Sequence, residues 1–478
     1  MKINELLEKL KLKRIKDSDS VEVKGIVEDS REVLPGYIFV AVKGEKDNGT
    51  KYIDEAVNRG AVFVLADEKE NIKPVIPFGA VKNIKRVSWK MVSEFYDCPE
   101  KKLKIIGITG TNGKTTTALL IKKVLEQNGS TCGVIGTIEN RVGDKVYKTN
   151  NTTPGSAQLL KLFYEFSAGG ADSVVMEVSS HALKQDRTGE LEFSGAVFTN
   201  LSHEHLDYHQ TMEDYFFAKK KIFSKTEGFM LSNSDDEYGK RLLKDIKGMK
   251  SYGSSGDYSF KVLKNDITGL ELEIQINKKW KGVVKSRLIG LHNAYNLLAA
   301  FSACIEFGIF PGDVVKSISK LDSVNGRLEK IPYKAPFYVF VDYAHTPEAL
   351  KNVLVSLKHF CIKKLICVFG CGGNRDRKKR PRMGKIAEEY SDKIVLTSDN
   401  SRWEEASVII DEILSGITDK EKVSIVVNRK DAIDGALNNA CEGDFVLIAG
   451  RGHEELMEEK GKLIPFCDAE IVRRVKFV

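Results

Sequence analysis

No stretch of this sequence is apolar for long enough to cross a bilayer, which excludes a protein of transmembrane helices. Nor does the N-terminal segment combine a basic start, an apolar core and a cleavage site, so no secretory signal is expected. The eight cysteines are scattered and none forms a Cys-x-x-Cys pair. That argues against a disulfide framework and for reduced thiols in a cytoplasm. A strong surplus of one charge is also missing: 74 basic and 67 acidic side chains leave +7 at neutral pH, spread along the chain. Such a balance implies mild attraction for anionic small molecules rather than a nucleic-acid footprint. What remains is a chain of 478 residues with ordinary globular composition, long enough for roughly two to four domains.

The most informative stretch runs from Ile105 through Gly107, Thr109, Gly110, Thr111, Asn112, Gly113, Lys114 and Thr115 to Thr116 and Thr117. Its apolar start predicts a buried strand, its glycines a turn, and residues 118–127 a helix. A glycine-bearing turn entering a helix aims backbone N–H groups and the positive end of the helix dipole at a phosphate chain. Lys114 can reach outer phosphates, and the Thr115 hydroxyl can ligate their Mg²⁺. The common P-loop pattern places its first glycine where this chain has Ile108, so the spacing is a variant. The Gly-Lys-Thr ending makes a nucleotide site the better reading over an ordinary strand–helix turn.

Before that motif, residues 1–98 mix short elements as a compact α/β module. Strand 23–27 leads into Asp29-Ser30-Arg31, a turn at Pro35-Gly36, strand 37–42, helix 52–59 and strand 61–66. A small hydroxyl beside an arginine suits a uridine or phosphate, and equally a turn cap. Asp97-Cys98-Pro99 marks a boundary, because proline stops the preceding helix. Residues 99–330 read as strand, helix, strand, as in a mostly parallel sheet. Strand 173–178 ends in Glu177-Val178-Ser179-Ser180-His181, and strand 195–200 runs into a loop, 201–209, crowded with His, Glu and Asp. Ligands of open α/β sheets bind beyond strand carboxyl ends. No cysteine pair or His-Glu-x-x-His spacing supports zinc, so Glu177 and His205 read better as Mg²⁺ ligands or their supports, against a plain polar loop. The paired Asn293 and Asn296 precede a helix expected over 297–307, where they contact an adenine or cap the helix.

Residues 331–478 alternate strands and helices again, with strands at 338–341, 365–369, 393–397, 423–427 and 445–449. The pattern is Rossmann-like, but no Gly-x-Gly-x-x-Gly turn opens a helix. Every strand end carries polar groups: Asp342 to His345, Arg375-Asp376, Asp399 to Arg402, and Gly450 to Glu454. If the sheet is parallel they converge on one edge. The basic run 378–380 is expected to touch a phosphate or carboxylate.

Together these motifs resemble the Mur ligase family over the whole chain, and within it the members that add a diamino acid as third residue. The carriers are 109–117, Asn151-Thr152-Thr153-Pro154, 177–181 with Gln185 and Arg187, 205–219, 292–296, Gly326-Arg327, 342–347, 370–382 and 399–402. The resemblance implies an α/β fold of three domains: 1–98 for the UDP-muramoyl end, a central P-loop domain over 99–330, and a Rossmann-like domain over 331–478 for the amino acid. It implies an ATP-dependent amide ligase acting on UDP-N-acetylmuramoyl-L-Ala-D-Glu through an acyl phosphate, in peptidoglycan precursor synthesis.

By the same resemblance Ser30, Asn151, Thr152, Thr153, Ser179, Gln185, Arg187 and Lys219 hold the muramoyl dipeptide. ATP falls to Gly110, Thr111, Asn112, Gly113, Lys114, Thr115, Thr116, Asn296, Arg327, Asp342 and His345. Thr115, Glu177 and His205 hold magnesium, and Lys114, Lys219, His205 and Glu177 serve catalysis. Lys219 matches a carbamylated lysine, which requires an environment that favours the neutral amine. Arg375, Asp399, Asn400, Arg402, Gly450 and Glu454 line the diamino-acid pocket. Users of meso-diaminopimelate carry Asp-Asn-Pro-Arg, and here Ser401 replaces the proline. A guanidinium forks onto a carboxylate and repels an ammonium, so Arg402 favours meso-diaminopimelate, or its isostere meso-lanthionine, over L-lysine. A monomer acting on small molecules, without nucleic acid or membrane insertion, is expected. A folylpolyglutamate synthase-like ligase and a non-ligase P-loop ATPase are the alternatives.

Overall fold

The computed structural model describes residues 1–15, 21–44, 47–70, 72–148, 151–321 and 324–475; the side chains of residues 206 and 207, in the loop singled out above, lie outside that description. The chain divides into two compact units. One comprises Met1–Gly110, Leu125–Val197 and Phe216–Met230; the other comprises Thr111–Val124, Phe198–Tyr215 and Leu231–Val478.

The first unit opens with four parallel strands in the order Gly25–Val27, Tyr37–Ala41, Ala61–Asp67 and Phe78–Val81. Phe39, Ala41, Val64 and Ala66 pack with Ile53 and Ala56 of helix Ile53–Asn58 into a core of their own. Further strands follow in the order Phe193–Phe198, Lys104–Thr109, Ser173–Glu177, Cys132–Ile135, Asn140–Val142 and Lys145–Tyr147. Ser173–Glu177 is wholly buried and pairs in parallel with Lys104–Thr109 on one side and Cys132–Ile135 on the other. A strand buried on every side reads as a continuous apolar run, which is how the sequence showed it. Glu177, the one charged residue of that strand, falls at its carboxyl end.

In the second unit Tyr258–Asp266, Gly269–Ile276 and Trp280–Ser286 form an antiparallel meander, flanked by the long helix Leu291–Phe307. A six-stranded sheet follows in the order Glu329–Ile331, Tyr338–Asp342, Phe445–Ala449, Leu365–Phe369, Lys393–Leu396, Val423–Ile425. All its pairings are parallel except the first. Residues of helices Pro347–Phe360, Lys379–Tyr390 and Ala406–Leu414 join one core, and those of Arg429–Asn438 and Asp468–Arg474 join another. Both faces are therefore covered, as in a doubly wound fold, and the polar strand ends do meet on one edge.

One expectation is corrected. Helix Leu291–Phe307 starts six residues earlier than expected, with Gly290 at its N-cap, so Asn293 and Asn296 lie within it and cap nothing. The carboxylate contact expected of the basic run 378–380 is made through Arg380, to carboxylates of this chain. Arg380 is fully buried in helix Lys379–Tyr390 and is neutralised by Glu404 at 2.9 Å and Glu412 at 2.6 Å. Lys379 donates to the His345 carbonyl at 2.7 Å.

Candidate active site

Within the second unit the turn Thr111-Asn112-Gly113 feeds helix Lys114–Gln127, which begins four residues before the expected point. Gly113 makes the early start possible, since its φ of +86° suits a residue without Cβ. The turn is laced to the segment after strand Phe193–Phe198. Asn112 N–H donates to Asn200 Oδ1 at 2.9 Å, while Thr199 Oγ1 and Asn200 Nδ2 donate to the Asn112 carbonyl at 2.6 and 3.0 Å. Thr111 Oγ1 lies 3.1 Å from the Tyr215 hydroxyl. Lys114 Nζ donates to the Thr111 carbonyl at 2.8 Å, folded over the turn that a phosphate chain would fill. Thr115 and Thr116 are buried behind it.

Two distant segments close on this turn and the helix start that follows it. A Cβ on Gly113 would stand 2.3 Å from Asn296 Oδ1, so the amide lies directly against the glycine. Asn296 in turn donates to Asn293 Oδ1 at 3.0 Å, and Asn293 donates to the Ile289 carbonyl at 2.8 Å. Arg327 Nη2 donates to Thr115 Oγ1 at 3.0 Å, and its guanidinium lies 4.9 Å from the Tyr343 ring centroid. Asp342 accepts the backbone N–H groups of Leu328 and Ala344 at 2.5 and 2.7 Å. Burial pushes its carboxyl up to about 6, although Arg327 and those two N–H groups pull the other way. His345 Nδ1 sits 2.8 Å from the Tyr343 carbonyl oxygen. His205, at φ +58°, lies 3.8 Å from Glu204.

The first unit gathers a different set. Glu177 is almost wholly buried and accepts from Thr137 N–H at 2.8 Å and Thr137 Oγ1 at 3.2 Å. Thr137 Oγ1 lies 3.0 Å from Thr152 Oγ1. Thr153 Oγ1 donates to the Glu177 carbonyl at 2.8 Å and accepts Ser179 N–H at 3.0 Å. Ser179 caps helix Ser180–Lys184. Arg187 donates to the Thr153 carbonyl at 2.9 Å and to Gln185 Oε1 at 2.8 Å. Thr152, Thr153, Glu177, Ser179, Gln185 and Arg187 thus form one hydrogen-bonded cluster beyond a strand end, with Asn151 exposed beside it. Lys219 is buried, and its Nζ donates to the Gly110 carbonyl at 2.6 Å. Ser30 lies apart from that cluster, its hydroxyl donating to Glu55 at 2.7 Å in a turn that Asp29 caps.

The diamino-acid candidates collect at the carboxyl edge of the six-stranded sheet. Asn400 Nδ2 donates to Glu454 Oε2 at 2.8 Å, and Asn400 Oδ1 accepts from Arg451 Nη1 at 3.0 Å. Arg451 is fully buried and also faces Asp399 at 3.6 Å and Glu454 at 3.4 Å. Burial raises the Glu454 carboxyl above its usual range, opposed by Asn400 and Arg451. A Cβ on Gly450 would lie 2.7 Å from Asp399 Oδ2. Arg402 Nη1 donates to the Gly373 carbonyl at 2.7 Å, and its Nε lies 3.2 Å from Glu458. Arg375 stays exposed on the neighbouring loop. The edge gathers both signs of charge, which suits a ligand bearing carboxylate and ammonium groups.

Thr137, Tyr343, Arg451 and Glu458 are central to these networks but were not singled out as site residues. Tyr343 and Arg451 belong to polar strand ends that were; Thr137 and Glu458 carry no local signal, since only tertiary contact gives them a role.

The chain is similar to known proteins along nearly its whole length. The family model of the Mur ligase middle domain matches residues 108–304, that of the Mur ligase glutamate ligase domain matches 326–452, and that of the Mur ligase catalytic domain matches 22–94. The UDP-N-acetylmuramoyl-L-alanyl-D-glutamate–2,6-diaminopimelate ligase of Aquifex aeolicus is 45% identical over 95% of this chain and 93% of its own. The ligase of the same name from Caldanaerobacter subterraneus subsp. tengcongensis is 39% identical over 99% of both chains. A solved structure of a diaminopimelate ligase of that name superposes with a TM-score of 0.68, at 30% identity over 99% of both chains. With relatives this similar along nearly its whole length, the chain belongs to the Mur ligase family.

Proposed function

We propose that this protein is an ATP-dependent ligase that joins a diamino acid to the D-glutamate of UDP-N-acetylmuramoyl-L-Ala-D-Glu, making a peptidoglycan precursor. The observation that carries the proposal is the cluster of Thr152, Thr153, Ser179, Gln185 and Arg187 around Glu177. A nucleotide hydrolase has no need of such a second polar site at a strand end.

The chemistry follows from the carboxylate. Its oxide leaving group makes it a poor acylating agent, so the γ-phosphoryl of ATP is transferred to it first and yields an acyl phosphate. The amine of the diamino acid then attacks the acyl carbon, and phosphate leaves. Lys114 offsets the repulsion between two anions and stabilises the transferring phosphoryl. Arg327 and Asn296 hold the nucleotide end, with Asp342 and His345. Thr115, Glu177 and His205 are the residues assigned to magnesium, which would neutralise charge on the phosphates. Among the described residues no three His, Cys, Asp or Glu side chains form a metal-binding group. A carbamate on Lys219 fits a buried amine, because burial favours the uncharged form that carbamylation needs.

In this proposal residues 1–98 take the UDP end, 99–330 the nucleotide and 331–478 the amino acid. Arg402 reads the distal carboxylate of meso-diaminopimelate or meso-lanthionine. In this proposal the enzyme works in the cytoplasm as a monomer on soluble substrates.

The test is phosphate release with ATP, Mg²⁺ and UDP-N-acetylmuramoyl-L-Ala-D-Glu, supplied with meso-diaminopimelate, meso-lanthionine or L-lysine. Release with a doubly carboxylated amine and not with lysine is expected. Release with lysine alone would keep the ligase and overturn the pocket. Release that ignores the muramoyl substrate would point to an ATPase.

A further inference from the structure

Glu28 follows strand Gly25–Val27 and immediately precedes the Asp29–Ser30 turn. Its half-buried carboxylate accepts a hydrogen bond from Ser88 Oγ at 3.3 Å and another from Ala157 N–H. Ala157 is the second residue of helix Ser156–Ala168, whose own N-cap, Gly155, offers no side-chain acceptor. Glu28 therefore supplies from a strand far away in sequence what a local serine or aspartate would give, and sets a negative charge at the positive end of that helix.

The same carboxylate touches the cluster around Glu177. A Cβ on Gly155 would stand 2.9 Å from Glu28 Oε2, so the carboxylate rests against the 153–155 turn. Arg187 and Lys85 both face it electrostatically. Arg187 is also bonded to the Thr153 carbonyl and to Gln185 Oε1, and Lys85 Nζ donates to the Gln185 carbonyl at 2.9 Å. Burial raises the Glu28 carboxyl, and Ser88, Ala157 N–H, Arg187 and Lys85 oppose that rise. One side chain thus joins the Asp29–Ser30 turn to the turn before helix Ser156–Ala168 and to Gln185 and Arg187.

We propose that Glu28 is a positioning residue for the acceptor substrate, fixing the spacing between the turn offered to its uridine end and the Thr153, Gln185 and Arg187 groups offered to its peptide end. The proposal rests on the ligase assignment above. A substrate with a nucleotide at one end and a dipeptide at the other needs two contact sets at a fixed separation, since a misplaced second contact loses the gain of joining the two.

The test compares wild type, Glu28→Gln and Glu28→Ala for binding of UDP alone, binding of UDP-N-acetylmuramoyl-L-Ala-D-Glu, and steady-state kinetics. Glu28→Gln keeps size and an acceptor oxygen, so it should fold where Glu28→Ala fails to. We expect KM for the muramoyl dipeptide to rise about 10-fold, as for loss of one charge-assisted contact. The Kd of UDP alone, KM for ATP and kcat at saturation should stay within about twofold of wild type. An unchanged KM for the muramoyl dipeptide in Glu28→Gln would overturn the proposal. So would a parallel weakening of UDP, ATP and muramoyl dipeptide, which marks general structural damage. Wild-type phosphate release that is indifferent to the muramoyl dipeptide would instead remove the ligase assignment, and the proposal with it.

Discussion

Arg402 sits at φ +52°, a conformation that costs a residue with a Cβ about 1–2 kcal/mol, and two backbone hydrogen bonds hold it there. Its guanidinium is steered by the Gly373 carbonyl and Glu458. A cation held this firmly meets a carboxylate with little further ordering. Arg402→Ala should raise KM for meso-diaminopimelate at least ~10-fold, from loss of a charged pair of about 1.5–3 kcal/mol, while KM for ATP stays put. Unchanged KM would mean that the guanidinium does not touch the amino acid. Asp342 gives a pH signature. Its carboxyl, raised to about 6, keeps a proton in the fold that the unfolded chain loses near pH 4. Its share of stability is therefore present below about pH 4 and is lost as pH rises through 6. Relative to wild type, Asp342→Asn should gain Tm steadily from pH 4 to pH 7. A difference that does not change with pH would show that Asp342 titrates normally.

At the scale of elements, Arg429 and Asp468 clip helix Arg429–Asn438 to helix Asp468–Arg474 through a fully buried pair, with N···O distances of 2.8 and 2.7 Å. Arg429 also donates to the Ala449 carbonyl, the last residue of its strand. Arg429→Ala leaves a buried carboxylate without its cation and should cost about 3–5 kcal/mol, read by urea unfolding; a loss below about 1 kcal/mol would mean that water reaches Asp468. The strands expected lie within a residue or two of those observed, because buried parallel strands are continuous apolar runs; the partly exposed antiparallel strands Tyr258–Asp266, Gly269–Ile276 and Trp280–Ser286 lack such runs and were not read. The Gly-Lys-Thr turn was legible because its chemistry is contiguous. The start of helix Leu291–Phe307 was not, since Asn293 and Asn296 resemble turn residues until their amides are seen bonding along the helix. The basic run 378–380 showed that a carboxylate contact was due but not which one, since the partners of Arg380 lie 24 and 32 residues further on. Glu28, Thr137 and Glu458 were silent, because each gains its role from a remote partner.

At the scale of the molecule, the nucleotide candidates Thr111–Thr116, Asn296 and Arg327 belong to one compact unit, and the acceptor candidates Thr152–Arg187 belong to the other. Ligands stabilise what they bind by mass action, about 2.7 kcal/mol at a hundredfold excess over Kd. A non-hydrolysable ATP analogue should therefore slow hydrogen exchange chiefly in peptides covering 111–117 and 291–307. The muramoyl dipeptide should do so in peptides covering 151–187. Protection spread evenly by either ligand would show that neither set is a discrete site. Arg402 N–H donates to the Glu458 carbonyl at 3.1 Å, Lys460 N–H to the Arg402 carbonyl at 2.6 Å, and Glu458 N–H to Asn400 Oδ1 at 2.8 Å. The Asp399–Arg402 loop and the hairpin of Leu456–Glu459 and Lys462–Pro465 are thus stitched together by two main-chain bonds and one to the Asn400 side chain. Transplanting the loop alone into a lysine-using relative would leave Arg402 without its template, so the two segments travel as one cassette.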